Sequence, residues 1–279
     1  MILSIDQGTT GTTAFVFEHS GQLRGRSYSE FPQYYPQPGW VEHDADEIWQ
    51  VTLRVCSAAL QRAGVSAGEL TAIGITNQRE TTVLWDRSTG KPVCPAIVWQ
   101  CRRSAAICDE LRAEGHEAWI TAKTGLVVDA YFSASKLQWI FRQHPDLQRR
   151  AQRGELCFGT IDSWLIWNMT GGRAHLTDHT NACRTQLYNI DTRSWDRELL
   201  ALFDCPESLL PQILPSATVF AITDPAAFLG AEVPIAGVAG DQQAALFGQG
   251  CVRPGSVKNT YGTGCFMLAC AGRERPAVP

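Results

Sequence analysis

A chain of 279 residues with 44% hydrophobic, 19% charged and 9% aromatic residues has the composition of a folded globular protein, which excludes a disordered, collagen-like or small disulfide-stapled chain. The net charge of −4 argues against a nucleic-acid-binding or polybasic membrane protein. No apolar run approaches the roughly 20 residues that span a bilayer, and the start, Met1–Asp6, has no basic segment or cleavage site, so a cytoplasmic location is expected.

In chain order, the first thirty residues predict three strands. They are Met1–Ile5, Thr12–Phe17 after a Gly/Thr turn, and Gln22–Phe31 after Ser20-Gly21. A Tyr/Pro/Gly-rich loop leads to Asp44, a good helix cap with Glu47 in the first turn, and Ile48, Val51, Val55 and Ala59 then recur at helical spacing as far as Gly64. Leu70–Thr76, Thr81–Trp85 and Ala96–Trp99 read as strands, and Arg103–Glu114, Ser133–Arg142, Ile161–Thr170 and Trp195–Phe203 as helices. Val233–Val238 is a buried strand running into Ala239-Gly240-Asp241 and a helical Gln242–Phe247, and Val257–Thr260 and Cys265–Ala269 flank a second Gly/Thr turn. Strands followed by mixed strands and helices indicate an α/β layer architecture. The ten cysteines include no C-x-x-C pair, which predicts buried thiols in a reducing compartment and no zinc site.

Four stretches could carry chemistry. Asp6-Gln7-Gly8-Thr9-Thr10-Gly11 joins two strands; its backbone N–H groups and hydroxyls could face phosphate, and Asp6 could hold hydrated Mg²⁺. A plain hairpin turn is the alternative. Asn259–Gly264 repeats the pattern, so two turns could clamp a nucleotide from two sides. Asp241 leaves a buried strand at a helix start, the edge where ligands of α/β proteins sit, and could accept a hydroxyl proton or merely cap the helix. Asn77-Gln78-Arg79-Glu80 ends another strand and could offer a guanidinium fork and a carboxylate to a polyhydroxy compound, or form a surface ion pair.

Together with Pro38–Asp44, Ile73–Thr82, Ile97–Arg103, Thr124–Lys136, Gly154–Thr170, Ala239–Gln249 and Lys258–Leu268, these stretches resemble the N-terminal part of the glycerol kinase branch of the FGGY carbohydrate kinases, over nearly the whole chain. The resemblance implies a ribonuclease-H-like α/β domain of the actin/heat-shock chaperone/sugar kinase superfamily, with a mixed β-sheet flanked by helices. Residues 1–254 would form the glycerol-binding domain and 255–279 the opening strands of a nucleotide-binding domain otherwise missing here. It further implies that Arg79, Glu80, Tyr131, Asp241 and Gln242 bind glycerol hydroxyls, with Trp99 and Phe266 as apolar walls. Asp241 would be the general base. Thr9, Thr10, Gly11 and Thr263 would bind the ATP phosphates, and Asp6 the Mg²⁺. The full-length protein would form dimers or tetramers.

Three departures qualify the match. The first loop lacks the arginine of its relatives, Thr13 standing there, which predicts weaker ATP binding. Glu232 stands where the relatives' fructose-bisphosphate inhibitor site has a base, which predicts insensitivity to that effector. The relatives are also much longer, so this chain alone is expected to be a poor kinase; the alternatives are a glycerol-binding or assembly module without turnover, or a related FGGY sugar kinase.

Overall fold

The computed structural model describes residues 1–262, 264–273 and 275. Its centre is a six-stranded mixed sheet. We name its strands β1 (Ile2–Gln7), β2 (Gly11–Phe17), β3 (Leu23–Glu30), β4 (Ala72–Asn77), β5 (Ala221–Ile222) and β6 (Pro234–Gly240), in the spatial order β5-β6-β4-β1-β2-β3. β1, β2 and β3 form an antiparallel meander, whereas β1, β4 and β6 run parallel, with a register shift in β6 between Ile235 and Gly237. The three parallel strands therefore end at the same edge, with Gln7 beside Asn77 and Asn77 beside Gly240.

Helix α1 (Ala45–Ala63) covers β2 and β3. Ile48, Val51, Val55, Cys56 and Ala59 form its buried stripe. Both ends carry the signals read in the sequence. The Asp44 side chain accepts from Asp46 N and Glu47 N, and Gly64 closes the helix at φ 69°. Asp44→Ala is expected to cost about 1 kcal/mol of stability, read as a lower urea midpoint at unchanged slope.

Three more helices bear on the site: α2 (Ser133–Gln143), α3 (Ile161–Met169) and α4 (Asp241–Gly248). Helix α3 is buried on nearly every side; Trp164 stacks edge-on to Trp85 at 5.4 Å and donates from Nε1 to Ala45 O. Near its start the Asp162 carboxylate is fully buried and accepts from Thr160 Oγ1 (2.5 Å) and Thr177 Oγ1 (2.6 Å).

The structure alters some element boundaries. The helix expected over Trp195–Phe203 spans Arg197–Leu202, because Asp196 caps it, accepting from Glu198 N and Leu199 N, while Ser194–Trp195 pairs with Tyr188–Asn189. Thr81 and Thr82 fall outside the strand that follows them, Val83–Asp86, since their hydroxyls turn back to Gln78 and to the Glu80 carbonyl. Only Ala96–Ile97 of Ala96–Trp99 is strand, paired with Glu42–His43. Two helices, Glu117–Thr124 and Pro145–Gln152, and the strand Leu156–Gly159 had no counterpart in the sequence reading.

The last two strands, β7 (Val257–Tyr261) and β8 (Cys265–Ala269), form a two-stranded antiparallel ribbon that pairs with no other strand among the described residues. One face meets α4 and the cleft below it; the other leaves Val257, Tyr261 and Met267 exposed. No helix among the described residues is long and apolar enough to cross a membrane.

Candidate active site

The parallel core explains why distant residues meet. Strands β1, β4 and β6 release, at one edge, the turn Gly8–Thr10, the pair Arg79–Glu80 and Asp241. These open onto a single cleft of about 570 Å³, also walled by Trp99, Tyr131, Gln242 and Phe266. The carboxyl edge of parallel strands is where α/β proteins place ligands.

Each side chain is held by its neighbours. Gln78 is buried and donates from Nε2 to Gln7 Oε1 (3.1 Å) and Gly8 O (3.2 Å), tying the end of β4 to the first turn. Arg79 Nε lies 3.1 Å from Asp241 Oδ1, and its Nη1 donates to Gln243 Oε1 at 3.2 Å. Gly240 makes this approach possible, since a Cβ there would sit 2.6 Å from Arg79 Cδ. Glu80 has a left-handed backbone (φ 62°), rare for a residue with a side chain, and its carbonyl accepts from Ser133 Oγ at 3.0 Å. Its carboxylate is paired with Arg184 Nε at 2.6 Å.

An aromatic wall faces these charges. Trp99 packs edge-on between Tyr131 (5.5 Å) and Phe266 (5.9 Å) and donates from Nε1 to Thr9 Oγ1 at 2.8 Å. Arg79 lies over the Phe266 ring at 5.8 Å. Burial, and after it the Glu80 carboxylate, raises the Tyr131 phenol above its ordinary pKa, keeping it a neutral donor. The fully buried Lys136 fastens the Tyr131 segment by donating to the carbonyls of Ala130, Tyr131 and Phe132.

At the other end of the cleft, Asp6 opens to solvent but is walled on its protein side. That partial loss of water, and after it the negative charge of Asp241, raises its pKa. A carboxylate beside a Gly/Thr turn, with a second carboxylate near it, is chemically suited to a hard divalent cation held with phosphate and water oxygens. Among the described residues no group of three or more His, Cys, Asp or Glu could enclose a metal by itself. Lys258 is buried beside this region, donating to Gln242 Oε1 and to Thr260 Oγ1. Burial lowers its pKa, opposed by the charge of Asp241.

Asp6, Thr9, Thr10, Arg79, Glu80, Trp99, Tyr131, Asp241, Gln242 and Phe266 thus line the same cleft. Gly11 does not. It starts β2 behind the turn, where a Cβ would meet Ser29 O at 2.6 Å, and its carbonyl accepts from Gly8 N at 2.9 Å. Thr263 lies outside the described residues; Gly262 and Gly264 on either side of it line the cleft. Arg79 and Glu80 are not a surface ion pair: both are buried, and each pairs with a residue far along the chain. Nor is Asp241 the helix cap, a position that Gly240 holds. Arg184 and Lys258 escaped the reading of the residues: Arg184 pairs with Glu80 across more than a hundred residues, which leaves no local pattern, and Lys258 reaches Gln242 on another element.

Residues 1–248 match the sequence model of the N-terminal domain of the FGGY family of carbohydrate kinases. A glycerol kinase of Trichlorobacter lovleyi is 59% identical over 277 residues, covering 99% of this chain and 55% of that protein. One of Deinococcus radiodurans is 57% identical over 278 residues, again covering 55% of the relative. The chain therefore spans about half the length of the curated relatives it matches. Among solved structures, Plasmodium falciparum glycerol kinase with ADP superposes with a TM-score of 0.87 at 35% identity, over 95% of this chain and 53% of that one. A xylulose kinase of Rhodospirillum rubrum gives 0.86 at 25% identity, over 96% and 54%.

Proposed function

The chain belongs to the FGGY family of carbohydrate kinases, and from that premise we propose that it is the glycerol-binding half of a kinase that transfers the terminal phosphoryl group of ATP to glycerol, giving sn-glycerol 3-phosphate. The observation that carries this reading is the convergence of Asp241 with Arg79 and Glu80 on one cleft, Arg79 Nε standing 3.1 Å from Asp241 Oδ1. Relatives at 54–59% identity are named as glycerol kinases, which supports glycerol as the acceptor.

A small polyol taken from water needs a partner for each hydroxyl. Arg79, Gln242 and the neutral Tyr131 phenol donate, Glu80 accepts, and Trp99 and Phe266 enclose the carbon skeleton. Asp241 accepts the proton of the attacking hydroxyl as its oxygen forms a bond to the γ-phosphorus and the bond to the departing ADP breaks. Positioning and electrostatics supply most of the rate in such transfers. The turn Gly8–Thr10, with Thr263, would receive the nucleotide phosphates and Asp6 would hold Mg²⁺. When bound, that cation offsets the negative charge of the phosphate oxygens.

In this proposal residues 1–254 would be the polyol domain and 255–279 the first strands of a nucleotide-binding domain. Assembly into dimers or tetramers and a cytoplasmic location belong to the same proposal. Calorimetric titration with glycerol tests it, together with ADP release from MgATP. Saturable glycerol heat with weak turnover is the expected result, and a chain that takes up no glycerol would sink the reading. A second reading, a glycerol-binding module without turnover, would be rejected by ADP release above background.

Pairing in the sheet sets Thr13 directly opposite Asp6. Thr13→Arg would thus bring a positive charge beside the phosphate turn. It is expected to tighten MgATP binding by about tenfold, as one charge-assisted contact does; an unchanged affinity by titration would show that the turn does not hold nucleotide.

A further inference from the structure

We propose that Arg184 is a positioning residue of the polyol site, holding the Glu80 carboxylate aimed at the ligand while seating the ring of Tyr131. The proposal rests on the polyol-kinase reading and deepens it by saying what sets recognition of the hydroxyls. Glu80 is 1% exposed and departs from ordinary backbone geometry, so its direction must be imposed by its surroundings. Its neighbour in sequence does not impose it, because Arg79 is turned toward Asp241. Among the described residues the cation in salt-bridge contact with Glu80 is Arg184, with Nε 2.6 Å from Oε1. The same guanidinium lies over Phe132 at 5.0 Å and Tyr131 at 5.7 Å. One planar group thereby fixes an acceptor and a donor of the cleft, although it is absent from the cleft wall.

Arg184 is itself anchored to the end of β4, the strand that leads to Glu80. Its backbone N–H donates to Asn181 O at 2.9 Å, and the Asn181 side chain exchanges hydrogen bonds with Asn77, the last residue of β4. Without Arg184, the buried carboxylate would lose its partner and swing away or draw in water. Either change converts an acceptor held for a hydroxyl into a group that no longer tells a triol from a diol. A guanidinium fork that also stacks is not replaced by an ammonium.

The test is calorimetric titration of the 279-residue chain with glycerol and with propanediols, which lack one hydroxyl. In Arg184→Met the preference for glycerol should fall at least about tenfold, toward the value of Glu80→Gln, since a site left without its acceptor loses discrimination. Arg184→Lys should recover part of that preference, and adding Arg184→Met to Glu80→Gln should change the preference little further. A merely structural role would weaken every ligand by the same factor and leave the preference intact; that result would overturn the proposal. If Arg184→Met does not fold, Arg184→Lys and the neutral pair Glu80→Gln/Arg184→Gln make the same comparison. Failure of the unsubstituted chain to bind glycerol would bring down the kinase reading, and this proposal with it. Glycerol binding with the preference unmoved in Arg184→Met would remove the proposal alone.

Discussion

Asp241→Asn is expected to lower the turnover of glycerol by roughly a thousandfold, the loss that accompanies removal of a general base. Asparagine keeps the shape of the side chain but offers no charge to accept the hydroxyl proton. Position sharpens the expectation. Asp241 is the first residue of α4, and its side chain remains one-third exposed toward the cleft while Arg79 steadies it from the protein side. Glycerol binding should weaken far less than turnover, because Glu80, Tyr131 and Gln242 still meet the ligand. The measurement is kcat by ADP release beside glycerol titration of the same variant. Equal losses in both would make Asp241 a binding residue only.

The second large effect is a dependence of stability on pH, seated away from the cleft. Asp162 is fully buried, and burial first, then the charge of Asp178, pushes its pKa up to about 7. Two threonine hydroxyls oppose that rise without cancelling it. The folded protein thus holds a proton that the unfolded chain has already released above the ordinary value of 3.8. The contribution is fully present below 3.8 and is lost as pH rises through 7. Asp162→Asn stays neutral throughout, so it should match the parent near the acid end and surpass it by a few kcal/mol at the alkaline end. Urea midpoints of the two proteins across that interval measure the difference; a constant gap between them would mean that Asp162 does not titrate in the folded state.

Much of this architecture can be read from the residues, and the reason is locality. Asp44 and Gly64 bracket α1 because a cap acts within a few residues of itself. The apolar runs over β1, β2, β4 and β6 announce strands because both sides of each are covered. Asp6, Arg79 and Asp241 were visible as candidates since each stands within two residues of the end of such a run. What the sequence does not carry is the strand order that makes β1, β4 and β6 neighbours. Nor does it reveal that Arg79 turns to Asp241 while Glu80 turns to Arg184. The helix Pro145–Gln152 was missed because its surface is largely charged and polar, with only Leu147 and Ala151 buried, too few to set a period. Trp195 was included in a stretch of helical pattern, whereas its backbone pairs with Tyr188 and its indole Nε1 donates to Pro211 O at 2.9 Å.

The ribbon of β7 and β8 has a consequence for anyone handling this polypeptide alone. Its outer side chains Val257, Tyr261 and Met267 are between half and four-fifths exposed, and among the described residues no further strand pairs with either margin. Unsatisfied N–H and C=O groups along such margins invite another chain to zip on, and the greasy surface rewards the meeting. Concentrated solutions should therefore turn cloudy from this corner first. Charged residues at those three positions would keep the solution clear without touching the cleft.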